Sequence, residues 1–233
     1  MPGYDGIGAP AWAPRSFMAR LPPADRTALL ALGVTRPIRP HTRLFVEGAE
    51  GTHVEVLRRG YVKITSEAAG TSRLLAIRLP GDLLGELAPI TGGVRSATVT
   101  ACGHVVSTVI RSADFLRYVA QHPRVGQEVT ATVGERLRWA NARRSEFTAY
   151  PVTVRLARVL RDIAEGCGTP GGRGGPLGVQ LNQAELAALI GAAEDTVQRA
   201  LRSLRDDGLV GTGYRTITVL DPDGLRALAA GVT

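Results

Sequence analysis

The sequence predicts an α+β protein with three successive parts: a β-roll, a long helix, and a group of short helices closed by a β-hairpin. Three observations support this prediction. Short alternating runs separated by Gly and Pro fill residues 42–110, a helical period begins after Ala113, and two short helices with a glycine between them precede a hairpin. The hydrophobic period thus changes from two to 3.6, which indicates a sheet segment followed by helices.

The size and composition are those of an ordinary globular protein. The chain has 233 residues, of which 44% are hydrophobic and 21% charged, enough for one large domain or two modest domains with a core in each. We see no apolar run that could cross a bilayer and no signal-peptide pattern, so we expect a cytoplasmic protein without membrane contact. The predicted segments are a flexible leader at 1–16, an N-terminal domain at 17–120, a long helix at 121–150 and a C-terminal domain at 151–233.

Six alternating runs of five or six residues predict the strands of the roll. Glycines and prolines lie between or beside them, as expected for turns of an antiparallel sandwich or barrel. The runs are Arg43–Glu47, His53–Leu57, Tyr61–Thr65, Arg73–Arg78, Ser96–Thr100 and Val105–Ile110.

The segment from His122 to Tyr150 reads as one long helix, which Pro151 ends or bends. Its apolar residues recur every four positions, a stripe suited to pairing with a second copy of the same helix. The alternative is that the helix packs on its own domain. The residues predicted for the dimer interface are Val129, Val133, Leu137 and Ala140.

The C-terminal segment has the pattern of a winged helix-turn-helix. Asn182 and Glu185 form a capping-box pair, Gly191 supplies the turn, and a second helix runs from Glu194 to Asp207 before a hairpin at 209–220. The predicted core between the two helices is Leu186, Ile190, Val197 and Leu201. The pattern favours DNA binding, and the alternative is a helical hairpin with a β-ribbon and no role on DNA.

Net charge does not decide between these two interpretations. The chain carries a formal charge of +7, but residues 151–233 hold nine arginines and nine acidic side chains. The position of each arginine must therefore support the DNA-binding hypothesis.

Two separate sets of motifs resemble the cyclic-AMP receptor protein family (CRP/FNR). The C-terminal set is Leu181–Gly191, Asp195–Leu201 and Leu209-Val210, and the N-terminal set is Leu44–Gly48, Gly60–Ile64, Pro80–Leu87 and Arg95–Val99. The resemblance implies an N-terminal cyclic-nucleotide-binding-like β-roll, a dimerising helix and a winged helix-turn-helix. It further implies a homodimer that binds double-stranded DNA at a partly palindromic operator and works with RNA polymerase.

The resemblance also implies an effector site, called the cassette below, formed by Gly85, Glu86, Leu87, Arg95 and Ser96. Arg95 offers a planar cation for a cyclic phosphate and Glu86 can accept hydrogen bonds from a ribose hydroxyl. The expected effector is a cyclic nucleotide, cAMP or cGMP. The alternative is a structural ion pair between Arg95 and Glu86. Where cAMP-binding members carry small hydroxyl residues on the long helix, this chain has Ala140 and Asn141, and Asn141 can still pair with a purine.

The second hypothesis is that the N-terminal domain senses something other than a cyclic nucleotide. A haem or redox centre would use Cys102 and His104, two apart on a predicted strand, but two cysteines cannot hold an iron–sulfur cluster, and we predict no metal. An effector-independent regulator and a ligand-binding dimer without DNA binding are further alternatives.

We find no nucleophile elbow, HExxH or P-loop, so no enzyme is predicted.

The predicted DNA contacts are of two kinds. By the resemblance, Glu194, Asp195 and Arg199 occupy base-reading positions, where Arg199 can bind guanine O6 and N7, and Gln198 points outward beside them. Phosphate contacts are expected from Asn182, Gln183, Arg202 and Arg215.

Overall fold

The computed structural model describes residues 12–68, 70–167, 174–214 and 216–231. They form two compact units: the first contains residues 12–64 and 78–132, and the second contains residues 65–77 and 133–231. The predicted α+β architecture is confirmed, since a strand-rich segment at 34–111 is followed by a long helix and then by short helices with a hairpin.

An antiparallel roll forms most of the first unit. Its strands are β1 (Val34–Ile38), β2 (Arg43–Phe45), β3 (His53–Arg59), β4 (Val62–Ala68), β5 (Thr71–Arg78), β6 (Leu83–Leu84), β7 (Thr98–Ala101) and β8 (Val105–Arg111). The end of β4 and most of β5 fall within residues 65–77, which are grouped with the second unit. One sheet has the order β1-β8-β3-β6 and the other β2-β7-β4-β5. All six predicted strands are present. Strand β1 was not predicted because Pro37 interrupts its pattern, which an edge strand tolerates. Strand β6 was not predicted because it has only two residues.

Alternation along β3 separates two apolar cores. Val54 and Val56 are fully buried with Phe17 and Phe115 on one side. Leu57 faces the opposite way, into the interior of the roll. Burying each such side chain contributes roughly 1.5–3 kcal/mol, which fixes the register of the strand.

Helices cover the first core. They are α1 (Phe17–Arg20), α2 (Pro23–Ala31), α4 (Ser112–Gln121) and the first turns of α5 (Pro123–Ala149). The short helix α3 (Leu87–Thr91) follows β6. The predicted leader at 1–16 is too long, because Ala13 and Ser16 are buried. Ser16 caps α1 by accepting from the amide of Ala19, and the amide of Ala13 donates to Pro80. Residues 1–11 of that leader lie outside the described residues.

The apolar stripe of α5 is buried at the start of the helix and more exposed further along it. Val125 and Val129 are 0% and 3% exposed and pack in the first core, so the assignment of Val129 to a dimer interface is corrected: its own unit already buries it. Leu137 is 61% exposed, Val133 is half-buried and Ala140 is exposed. These three residues are what remains of the predicted interface.

The second unit contains the winged helix-turn-helix. Its elements are α6 (Val152–Cys167), β9 (Gly175–Pro176), α7 (Gln183–Ile190), α8 (Glu194–Asp206), β10 (Val210–Gly213), β11 (Thr216–Val219) and α9 (Pro222–Ala230). β9 adds to the wing beside β11 and was not among the predicted strands. The capped helix α9 was not predicted, although Asp221 before Pro222 is a start signal.

Candidate functional site

Gly85 makes the tight turn between β6 and α3. Its φ of +74° lies in the left-handed region, which glycine adopts without strain. A Cβ at this position would collide with Nη1 of Arg95 and would stand 2.8 Å from the Phe45 ring. The backbone of Gly85 therefore has to stay bare so that Arg95 can reach it.

Arg95 is a buried cation, with only 4% of its surface exposed. Its Nη1 donates to the carbonyl oxygen of Gly85 at 2.8 Å, and its Nη2 donates to that of His53 at 2.5 Å. The guanidinium also lies over the Phe45 ring, 3.9 Å from the centroid. Burial lowers the pKa of Arg95, while the carboxylates of Glu55 and Glu86 act to raise it.

The structure brings part of the predicted effector site together. Glu86 is 2% exposed and close enough to act on Arg95, whereas Leu87 and Ser96 are exposed at the surface. The main chain of Arg95 is bonded in both directions to the turn after β2, through Gly48 and Ala49. Asn141 belongs to the second unit, where its side chain is exposed.

Three residues around Arg95 were not predicted: Phe45, His53 and Glu55. Phe45 ends β2 and its ring lies 5.2 Å from the ring of His53. Glu55 is fully buried on β3, two positions after His53. For His53 and Glu55 the sequence holds one signal: they are polar residues two positions apart on a predicted strand, so their side chains share one face.

The helix-turn-helix has the local geometry that its sequence predicted. The side chain of Asn182 accepts from the amide of Glu185 at 2.8 Å, and Glu185 accepts from the amide of Asn182 at 2.9 Å. Gly191 ends α7 with φ +61°, and a Cβ there would stand 2.7 Å from the Phe147 ring. Ala193 occupies the cap position of α8 and gives it no side-chain hydrogen bond.

The outer face of α8 exposes the residues predicted to meet DNA. Arg199 donates from Nη2 to Thr196 Oγ1 at 3.1 Å, a contact toward the first turn of the helix. Leu201, predicted as core, is only half-buried, while Ala200 and Leu204 are the buried residues. Arg215 lies outside the described residues. The exposed predicted contacts are Asn182, Gln183, Glu194, Asp195, Gln198, Arg199 and Arg202.

A groove of about 500 Å³ lies between the start of α7, the inner edge of α8 and the wing. Apolar side chains form its floor and polar side chains its rim. Arg205, Thr212 and Thr216 join the predicted contacts in this groove and were missed by the sequence analysis. The lining residues are Leu181, Asn182, Gln183, Leu186, Gln198, Leu201, Arg202, Arg205, Thr212, Gly213, Thr216 and Ile217.

Metal ligation finds no support in the described part of the chain. Its His, Cys, Asp and Glu side chains form no group of three that could hold an ion. Cys102 and His104 lie in the turn between β7 and β8 rather than on a strand, so the predicted shared face is wrong. Within the same described ranges, no helix is both long and apolar enough to cross a membrane.

The roll with its buried arginine and the winged helix-turn-helix define a class: DNA-binding transcription regulators that carry a cyclic nucleotide-binding domain. Residues 35–122 match the cyclic nucleotide-binding domain model and residues 154–228 match the Crp-like helix-turn-helix model. The chain belongs to the CRP/FNR family.

Relatives match over most of their length. The chain is 31% identical over 195 residues to a CRP-like cAMP-activated global transcriptional regulator of Mycobacterium tuberculosis, covering 82% of this chain and 85% of that protein. It is 29% identical over 191 residues to the cyclic AMP receptor protein of Thermus thermophilus, covering 81% and 85%.

Solved structures show the same fold. FixK2 from Bradyrhizobium japonicum superposes with a TM-score of 0.72 at 19% identity, over 86% of this chain and 99% of that one. The Thermus thermophilus catabolite activator protein gives a TM-score of 0.51 at 26% identity, over 93% and 99%.

Proposed function

We propose that this regulator acts as a homodimer on a two-fold symmetric operator and that a cyclic nucleotide switches it. The nucleotide is held by Gly85, Glu86, Leu87, Arg95 and Ser96, with Asn141 as a further contact to the base. On DNA the regulator works in the cytoplasm with RNA polymerase, as its family implies.

The observation that carries this proposal is the burial of Arg95. A guanidinium that is 4% exposed has lost most of its hydration, and its hydrogen bonds to Gly85 and His53 go to neutral carbonyl oxygens. A buried cation of this kind is stabilised most by an anionic ligand whose oxygen atoms accept hydrogen bonds from it. The bare backbone of Gly85 lets the guanidinium of Arg95 lie against it, which holds this cation at the proposed site.

The arrangement of α8 supports the operator part of the proposal. Exposed Gln198, Arg199 and Arg202 share the outer face of a helix that a capped partner helix and a wing support. Helices with this support enter the major groove, and two copies related by a dimer axis read two half-sites. The exposed Leu137 on α5 supports the dimer, because a leucine in a long helix stripe is commonly covered by another helix.

Three alternatives to this function are outcomes of the test. Haem or a redox metal would need ligands, and the turn position of Cys102 and His104 gives no pair on one strand face. An effector-independent regulator would bind DNA equally well with and without nucleotide. A dimeric ligand-binding module would bind nucleotide and leave duplex DNA alone.

The test is calorimetry of the full chain with cAMP, cGMP and haem, followed by DNA binding with and without the ligand that binds. We expect one cyclic nucleotide to bind and to raise affinity for an operator selected from random duplexes. Arg95→Leu should weaken nucleotide binding by on the order of 2–4 kcal/mol, the worth of a charge-assisted bidentate contact.

Arg58→Leu is the matched control. Arg58 is another arginine of the first unit whose pKa burial lowers, but it contacts Trp12 and Thr108 instead of the cassette. Its variant should bind nucleotide as the wild type does. No nucleotide binding in the wild type, or equal losses in both variants, would overturn the proposed effector site.

A further inference from the structure

Glu55 is a carboxylate with no exposed surface, placed inside the roll on β3. Removing an ionised carboxylate from water costs several kcal/mol unless partners replace the water. Two hydrogen bonds and one nearby imidazole ring do so here. Oε1 accepts from Arg36 Nη2 at 2.8 Å, Oε2 accepts from the hydroxyl of Ser107, and Nε2 of His53 lies 3.4 Å from Oε1.

These partners keep Glu55 charged. Burial acts to raise the pKa of this carboxyl, but His53, Ser107 and Arg36 together outweigh it and leave the pKa below its ordinary value. A fixed negative charge is therefore present inside the roll at neutral pH. The ion pair with Arg36 neutralises it only in part, because half of the Arg36 side chain is in water and screened.

His53 connects this charge to Arg95 by two routes. Its carbonyl oxygen accepts from Nη2 of Arg95 at 2.5 Å, while its ring lies beside the Glu55 carboxylate. The same ring lies 5.2 Å from the Phe45 ring, on which the Arg95 guanidinium is stacked. Glu55, His53, Phe45 and Arg95 thus form one connected polar and aromatic cluster around the cassette.

We infer that Glu55 is a positioning residue of the effector site, an internal counter-ion that holds Arg95 in its effector-free position and competes with the effector's phosphate. This inference rests on the proposed function in one respect, that the effector is an anion bound at Arg95. The chain should therefore bind its effector less tightly than it would without the negative charge of Glu55. The charge of Glu55, rather than its shape, sets that affinity.

Two variants separate charge from shape. Glu55→Gln keeps the shape and removes the charge, so binding of cAMP or cGMP should tighten by about three- to thirtyfold, as expected for one nearby unit charge in a partly desolvated site. Glu55→Asp keeps the charge and shortens the side chain, so affinity should stay within about twofold of the wild type. Asp25→Asn on α2 removes a carboxylate elsewhere in the first unit and should change nothing.

Unchanged or weaker binding by Glu55→Gln, with wild-type affinity in Asp25→Asn, would overturn the inference. If Glu55→Asp does not fold, Arg36→Gln replaces it. The Arg36 side chain is half-exposed, and its replacement leaves the negative charge of Glu55 less neutralised. Nucleotide binding should therefore weaken, whereas Glu55→Gln should tighten it. Tighter binding in Arg36→Gln would count against the counter-ion.

A thermal double-mutant cycle tests the inference without any effector. Melting temperatures are compared for the wild type, Glu55→Gln, Arg95→Leu and the double variant. If Glu55 stabilises Arg95, the double variant should melt about 2–4 °C above the additive expectation. Strict additivity would overturn the counter-ion role. A wild type that binds no cyclic nucleotide defeats the proposed function, while the cycle still decides this inference.

Discussion

Arg155 of α6 donates from Nη1 to the carbonyl oxygen of Ile190, at 2.5 Å, and to that of Gly191 at 3.2 Å. These oxygens end α7, where a helix leaves carbonyls without intrahelical partners and carries a partial negative charge. The guanidinium lies 5.6 Å from the centroid of Phe147, whose ring packs against Gly191. One buried cation therefore fixes the turn of the helix-turn-helix.

Arg155→Met should lower the free energy of unfolding by about 2–3 kcal/mol, because two carbonyl oxygens lose a charged donor in a buried place. Urea denaturation measures the loss. Arg161→Met on the same helix is the control, since Arg161 is about one-third exposed and pairs with the adjacent Asp162. Its loss should be below about 1 kcal/mol. Equal losses in the two variants would show that the turn does not depend on Arg155.

Gly85→Ala tests how closely the cassette is packed. The left-handed φ alone should cost about 1–2 kcal/mol, and the new methyl must also displace Arg95 and the Phe45 ring. Nucleotide binding should therefore be lost or strongly weakened.

Gly92→Ala supplies the matched control for that experiment. Gly92 ends α3 with φ +67°, and a Cβ there meets nothing within 4 Å. It should show the backbone cost alone, measured by thermal unfolding, with nucleotide affinity retained. If both alanine variants bind nucleotide equally well, close packing at Gly85 is not needed for the effector.

Local signals explain why the helix-turn-helix was predictable in detail. The capping box of Asn182 and Glu185 and the left-handed Gly191 depend on residues within a few positions of each other, and the structure has both. Helix α8 ends within one residue of its predicted end for the same reason, with Gly208 at φ +70°. Short-range hydrogen bonds and backbone conformation are what a sequence pattern records most directly.

The surroundings of Arg95 were less predictable because they come from four separate stretches of chain. Phe45, His53 and Gly85 reach Arg95 only when both sheets of the roll have formed, since β2 lies in one sheet and β3 and β6 lie in the other, and no local rule connects them. The apolar stripe of α5 failed for a related reason. Period alone cannot tell whether Val129 is covered by its own core or by a second chain, and here its own core covers it.

Leu137→Glu should convert the proposed homodimer to a monomer. The side chain is 61% exposed in the single chain, so the substitution is harmless to the fold unless another copy covers it. Two unpaired carboxylates buried in one interface would cost several kcal/mol. Analytical ultracentrifugation checks the mass. Leu220→Glu, at a leucine 57% exposed in the second unit, should stay dimeric. A dimeric Leu137→Glu would place the interface elsewhere.

The last prediction distinguishes two arginines on α8 by their surroundings. Arg199 is bonded to Thr196 in the first turn of the helix, the end that enters the major groove in this class of domain. Arg202 lines the groove between α8 and the wing, where a phosphate strand can pass. Arg199→Ala should therefore cost about 1–3 kcal/mol on the selected operator and relax discrimination at one guanine in each half-site.

Arg202→Ala should instead weaken binding to all duplexes alike and lower the salt slope by about one for each half-site, because a lost phosphate contact releases fewer counterions. Both variants are compared on the operator and on scrambled DNA across a range of salt concentrations. A selected site without two-fold symmetry would contradict the dimeric arrangement. Equal, sequence-blind losses from both variants would make Arg199 a phosphate contact, and sequence reading would then fall to Gln198, Asp195 or the shape of the DNA.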